Sequence, residues 1–436
     1  MSTDATATKS PSGRLSLDFW KYWTGETISN LGSSFTQFAL PLLVFQLTGS
    51  ALNLAISTAA TFVPYLLFGL VIGAWVDRVN RKRMMILVDV LMALSIASIP
   101  VMYFLRIPND ALVLWIYGVG FVSSTLNIFF SSGEFAAIPS LVDQNDLVTA
   151  NGRIQASFAG ATIVGPLLAG ALLHVVPLAA LLLIDASSFV VSACTLSLVR
   201  RSFNSEEKRE KKNIFHDVIE GLRYVLRHPV LRNISAMMAL VNFFATTTAT
   251  QLVLFATVMY HATGSEISLL FAAGSAGTVV LSLLAGPLRK RWSFSRVALS
   301  ALALDGLFTI VLGFTPWLYG AVLLMALTGG LGVLFNINTG SLRQAIVPSQ
   351  MLGRVLSIAG VLAWSAIPLG ALLGGTVIQT VGKAHVGLVY AGIGLLTFLI
   401  PVCFSFTPLG HTERYLPKKE EQIAEQVSAE EAVVGD

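Results

Sequence analysis

Four carboxyl groups lie inside long apolar runs: Glu26, Asp89, Asp185 and Asp305. An ionised side chain deep in a bilayer costs at least about 2.5 kcal/mol. No lysine or arginine lies deep in any of these runs, so simple ion pairing does not account for all four acids. Each must hold a proton, face a water-filled cavity or sit near a helix end, and the first two make an acid a candidate proton carrier. Glu26 is the strongest candidate, because Glu26, Asn30, Ser33 and Gln37 follow i, i+4, i+7, i+11 and give one helix face a polar stripe. Asp305 and Asp185 follow it as coupling candidates. Asp305 is the better fit to a hydrogen bond inside a bundle, and Asp185, with Ser188 and Ser192 on its face, to a packing role. Asp89 lies about 9 Å along its helix from the basic end, close enough for a tie to the basic loop there. Asn127, Ser131 and Glu134 repeat at i, i+4, i+7, and Asn242, Thr246 and Thr250 at i, i+4, i+8; Asn336 and Asn338 fall in a later run. Such groups either meet a substrate or join neighbouring helices. Glu134, near a helix end, reads as a partner for Arg153 or Arg343, or as a solvated terminus. With Phe38, Phe130, Phe243, Phe244 and Trp364 nearby in sequence, the pattern suits an amphipathic ligand better than a sugar or small ion.

The elements that carry these groups follow from composition. Of 436 residues, 54% are hydrophobic and 12% charged, with a mean hydropathy of +0.73. Soluble domains are about 25% charged, so an ordinary soluble enzyme is excluded. Runs long enough to span a bilayer predict twelve helices, near 19–46, 51–76, 84–105, 111–133, 153–173, 178–199, 231–260, 265–288, 296–314, 317–342, 354–380 and 385–407. The first run follows a polar start and lacks a small-residue cleavage site, unlike a signal peptide. Of the 28 lysines and arginines, all but Arg106 and Lys383 fall on one side of this layout. Basic residues mark the cytoplasmic side, which puts both termini inside.

Five segments result: a cytoplasmic tail over 1–18, a six-helix bundle over 19–199, a cytoplasmic linker over 200–230, a second six-helix bundle over 231–407 and a tail over 408–436. The linker contains an amphipathic stretch, Ile214 to Leu226, with Ile214, Val218, Leu222 and Val225 on one face. Such a helix belongs at the inner membrane surface. The halves echo one another. Glu134 stands five residues before Pro139 and Arg343 five before Pro348, and Gly152-Arg153 corresponds to Gly353-Arg354. Internal repeats of this kind point to a transporter whose two bundles rock about a central site.

The segment Gly73-Ala74-Trp75-Val76-Asp77-Arg78-Val79-Asn80-Arg81-Lys82 has the form G-x-x-x-D-R-x-x-R-K. Asp77 falls at a helix C-terminus, where the dipole disfavours an anion, so it needs a partner that one conformation supplies and another withdraws. Gly73, Asp77, Arg78 and Arg81 are therefore candidate conformational residues. With the six-plus-six layout and a degraded copy at Gly286 to Arg291, the whole chain resembles the major facilitator superfamily. It is most similar to the bacterial macrolide-efflux and enterobactin-exporter-like branch. The residues behind that likeness are Leu47-Thr48-Gly49-Ser50, Pro139-Ser140-Leu141-Val142, Asp185-Ala186-Ser187-Ser188-Phe189 and Glu220-Gly221-Leu222-Arg223-Tyr224 with Arg227-His228-Pro229. The resemblance implies an all-α membrane protein with the major facilitator fold, in which helices 1, 4, 7 and 10 line the cavity. It also implies proton-driven efflux. Two departures from the family bear on coupling: helix 4 has no arginine, and Met92 stands where an arginine often follows the acid of helix 3.

The expected function is secondary export of amphipathic small molecules, macrolide-like drugs or siderophores, by a monomer in the bacterial inner membrane. Its partners are the small-molecule substrate, protons and the bilayer, with no nucleic acid. Coupling candidates are Glu26, Asp305 and Asp185; cavity candidates are Asn30, Gln37, Asn127, Asn242, Thr246, Asn336 and Asn338. Open alternatives are an uncoupled facilitator or importer, and a non-transporting receptor or lipid-handling scaffold. No phosphate loop, H-E-x-x-H or G-x-S-x-G motif occurs, and the two cysteines and scattered histidines form no ligand set. The sequence thus predicts no enzymatic activity, cofactor or metal.

Overall fold

The computed structural model describes residues 15–76, 79–142, 147–203, 214–347 and 349–415. Among them every regular element is helical, and 12 helices are long and apolar enough to cross a membrane. The chain divides into two compact units. The first comprises Met1–Gly49, Ala60–Glu210 and Gly264–Ser268, and the second Ser50–Ala59, Lys211–Thr263 and Leu269–Asp436.

Six long helices supply the first unit: α1 (Leu17–Thr48), most of α2 (Ala51–Val76), α3 (Arg81–Phe104), α4 (Asn109–Leu141), α5 (Leu147–Leu172) and α6 (Leu178–Leu198). Between helices in lipid there is no hydrophobic drive, so close approach rests on small residues and hydrogen bonds. α1 packs on α6 through Gly25 and Gly32, where an added Cβ would lie 1.9 Å from Thr195 Oγ1 and 2.2 Å from Ser188 Oγ. The basic end is stitched by polar contacts. Ser16 caps α1 by accepting from Phe19 N and donates to Leu141 O at the end of α4. Asp18 accepts from the backbone N–H groups of Arg200 and Arg201, both at 3.0 Å. Arg81 is buried and donates to Phe203 O.

The second unit is built from α7 (Ile214–Arg227), α8 (Pro229–Thr250), α9 (Leu252–Tyr260), most of α10 (Gly264–Arg291), α11 (Phe294–Phe314), α12 (Leu318–Ile346), α13 (Ser349–Trp364), α14 (Ala366–Val381) and α15 (Val386–Ser405). Two predicted spans carry a local irregularity, at Gln251 and at Ser365; the i→i−4 backbone bonds continue through Gln251, and Ser365 keeps a helical conformation. Gln251 is fully buried and donates to Ala51 O at 2.8 Å. The amphipathic α7 packs on α13, with Val225, Leu231, Val355 and Ile358 in one cluster. After α15 the chain folds back over 408–415, where Ser295 and Thr412 hydroxyls meet at 2.6 Å in a buried contact.

His228, just ahead of α8, caps that helix by accepting from Leu231 N. Partial burial pushes its imidazole below the usual histidine range. Neutral imidazole is the form that caps, so this contribution is present above the unfolded pKa of about 6.5 and is lost as pH falls through the folded value. We expect melting at pH 5.5 to fall more for wild type than for His228→Asn, whose amide caps at either pH. The difference should be about 1 kcal/mol or less; equal pH sensitivity of the two proteins would remove the cap from the account.

Candidate functional site

Within the first unit, three carboxyl groups from α1, α3 and α4 converge around one tyrosine. Tyr22, Glu26 and Asn30 share a face of α1 at i, i+4, i+8. Tyr22 donates from its hydroxyl to Glu134 Oε1 on α4 at 2.5 Å. Glu26 Oε1 accepts from Asn30 Nδ2 at 3.3 Å. Glu26 lies within electrostatic reach of both Glu134 and Asp89. Asp89, on α3, is 1% exposed, and its Oδ2 has no hydrogen-bond partner among the described residues. Glu26 and Glu134 are partly buried. Gly133 brings α4 onto α3 beside it, with Met84 and Met85 side chains against the position of a Cβ. Residues 22–48 of α1, 84–104 of α3 and 109–141 of α4 contain no lysine or arginine. Like charges this close in a poorly solvated site repel strongly, so binding of a proton or of a cation would relieve the cluster.

The remaining candidates are distributed more widely. Asp185 is 1% exposed and accepts from Ser33 and Ser188 hydroxyls at 3.3 and 3.4 Å, which fixes it in the α1–α6 seam. Asp305 is half-buried in the middle of α11, with no hydrogen bond to a described residue. Asn127 Oδ1 accepts from Tyr65 on α2 at 3.2 Å. Asn242 donates to Ala363 O, tying α8 to α13. Asn338 is buried and donates to Leu334 O of its own helix. Gln37 and Asn336 are exposed, and Thr246 is half-buried. Asp77 and Arg78 lie outside the described residues, as does the side-chain position of Gly73. Of the cluster, Tyr22 has no place in the sequence analysis and Asp89 has a different one. Tyr22 is a hydroxyl one turn before Glu26, a usable signal. Asp89, expected beside the basic loop, is instead buried in the cluster because its face of α3 packs inward with Met85, Val88 and Met92.

Residues 14–435 match the model of the family described as transmembrane secretion effector. Macrolide efflux protein A of Streptococcus pyogenes is 25% identical over 375 residues, covering 85% of this chain and 91% of that protein. Multidrug efflux pump Tap of Mycolicibacterium fortuitum is 27% identical over 395 residues, covering 86% and 92%. Among solved structures, the nucleoside transporter NupG superposes with a TM-score of 0.75 at 11% identity, over 89% of this chain and 98% of that one. A bacterial homologue of the iron transporter ferroportin gives 0.69 at 17% identity, over 90% and 100%. At such identities the structures speak for the fold alone. The helical layout and the near full-length family match agree: this chain is a multi-pass membrane transporter of the major facilitator superfamily and belongs to its transmembrane secretion effector family.

Proposed function

We propose that the protein is a proton-coupled exporter of amphipathic small molecules, working as a single chain in the bacterial inner membrane with both termini in the cytoplasm. The observation that carries this reading is the convergence of Glu26, Glu134 and Asp89 around Tyr22, without a basic side chain on those helix segments. A group of carboxyls that repel one another accepts a proton readily and releases it when the site is opened to water on the other side. Glu26 is the carrier in this scheme, partly buried and bonded by Asn30 on its own helix. Asp185 is already engaged by two hydroxyls, and Asp305 stands apart on α11, so both rank below it. Asn30, Gln37, Asn127, Thr246 and Asn336 supply the polar contacts to the substrate, and Gln37, Asn127 and Asn336 are the most accessible of them; Asn242, tied to Ala363 O, and Asn338, buried against its own helix, rank below them. Gly73, Asp77, Arg78 and Arg81 belong to the loop that changes partner between conformations. The names of the relatives, macrolide efflux and multidrug efflux, favour export of drug-like compounds. The one-sided distribution of lysine and arginine favours cytoplasmic termini.

The test is transport in vesicles containing the purified protein. A labelled macrolide should accumulate against its gradient when a pH gradient is imposed, and a protonophore should abolish the accumulation. Flux indifferent to the protonophore would remove coupling. Saturable binding without flux would identify a scaffold instead.

A further inference from the structure

We propose that Arg343 is a receptor for an oxyanion, the carboxylate or phosphate of an amphipathic substrate, so that anionic amphiphiles form a recognised substrate class. This deepens the export reading and rests on it. In α12, Gly332, Asn336, Gly340 and Arg343 follow i, i+4, i+8, i+11 and share one face. A Cβ built at Gly332 or Gly340 meets nothing within 4 Å, and Asn336 is exposed, so this face is open along its length. At its foot, Arg343 is only 7% exposed. Its Nε has no hydrogen-bond partner among the described residues, and its Nη2 points at Met238 Sδ of α8 at 2.9 Å. A thioether is a weak acceptor and no counter-charge. α8 and α12, which meet at this contact, contain no aspartate or glutamate, and Asp305 of the neighbouring α11 forms no ion pair with Arg343. A buried guanidinium whose one polar contact among the described residues is a sulfur is an incomplete arrangement, since buried charges are paired or bound to something. Its planar fork of N–H donors matches a carboxylate or phosphate in bidentate geometry. The face of α12 that leads to it carries two glycines and one exposed amide.

The experiment uses the full chain in phosphatidylcholine vesicles with two probes, a dansyl-labelled fatty carboxylate and its methyl ester. Wild type should bind the carboxylate about tenfold or more tighter than the ester, a difference of about 1.4 kcal/mol. Arg343→Gln should lose that preference, and Arg343→Lys should keep part of it, with thermal melting confirming that both variants are folded. Equal binding of the two probes by wild type, or an undiminished preference in Arg343→Gln, would overturn the assignment. So would loss of the preference in wild type on adding phosphatidylglycerol, which would give the oxyanion site to lipid headgroups. Flux of both probes under a pH gradient is recorded in parallel. Its absence would count against export, while the binding comparison would still decide the role of Arg343.

Discussion

Glu26→Gln is expected to reach the membrane at wild-type levels and to lose transport driven by a pH gradient, by about tenfold or more, a change in driving interaction of about 1.4 kcal/mol. The glutamine keeps the length of the side chain and an oxygen that accepts from Asn30 Nδ2, so the local hydrogen bond survives. What it loses is the ability to gain and release a proton. Glu134 and Asp89 then face a permanently neutral neighbour, and the repulsion that couples protonation to conformation is weakened. Exchange of labelled for unlabelled substrate, which needs no net proton movement, should continue in the variant. Asp185→Asn serves as the comparison, because Asp185 is buried in the α1–α6 seam with its Oδ1 beside the Ser33 and Ser188 hydroxyls; its gradient-driven transport should stay within about threefold of wild type. If Glu26→Gln responds to the pH gradient as wild type does, Glu26 is not the carrier. If Asp185→Asn is the variant that fails, the proton path runs through the α1–α6 seam instead.

The parts of this site that the sequence revealed are those that depend on one helix at a time. Apolar runs and the one-sided placement of basic residues give the twelve spans, because the bilayer imposes length and charge rules on each span separately. Periodicity likewise places Glu26 and Asn30 on one face of α1 and marks α7 as amphipathic. The level at which one helix meets another is a different matter. Nothing in the local pattern says that Tyr22 meets Glu134, because that depends on how α1 and α4 cross and on α4 continuing to Leu141. The same limit explains Asn242 and Asn338. Their spacing fits a cavity face, yet one amide is tied to Ala363 and the other to its own helix. The irregularity at Gln251 has no glycine or proline to announce it. There the side-chain amide of Gln251 donates to the Ala51 carbonyl, a contact that no local pattern announces.

Gly277→Ala should lower the thermal stability of the protein by several degrees, whereas Gly332→Ala should leave it nearly unchanged. Both glycines lie in the second unit, on α10 and α12, and both changes add a single methyl group. At Gly277 that methyl would stand 1.7 Å from Ala326 O and 2.5 Å from Ala326 C. The obstacle is backbone, which has no rotamer to yield. The same seam is tight at two further points, with Gly329 against Gly274 O and Gly330 against Gly277 O at 2.4 and 2.6 Å for an added Cβ. Relief therefore requires α10 and α12 to move apart along several turns, with loss of the close contacts and weak C–H···O interactions that bind helices in lipid. Overpacking of this kind costs about 1–3 kcal/mol and occasionally more, and for a large domain each kcal/mol is worth about 2–4 °C in melting temperature. At Gly332 an added Cβ meets nothing within 4 Å, so only the small gain in helix propensity applies. Thermal unfolding of the purified proteins in one detergent checks the pair. Melting of Gly277→Ala within a degree of wild type would mean that the α10–α12 seam is not held by backbone contact, and equal losses for both variants would mean that glycine matters here for flexibility rather than for space.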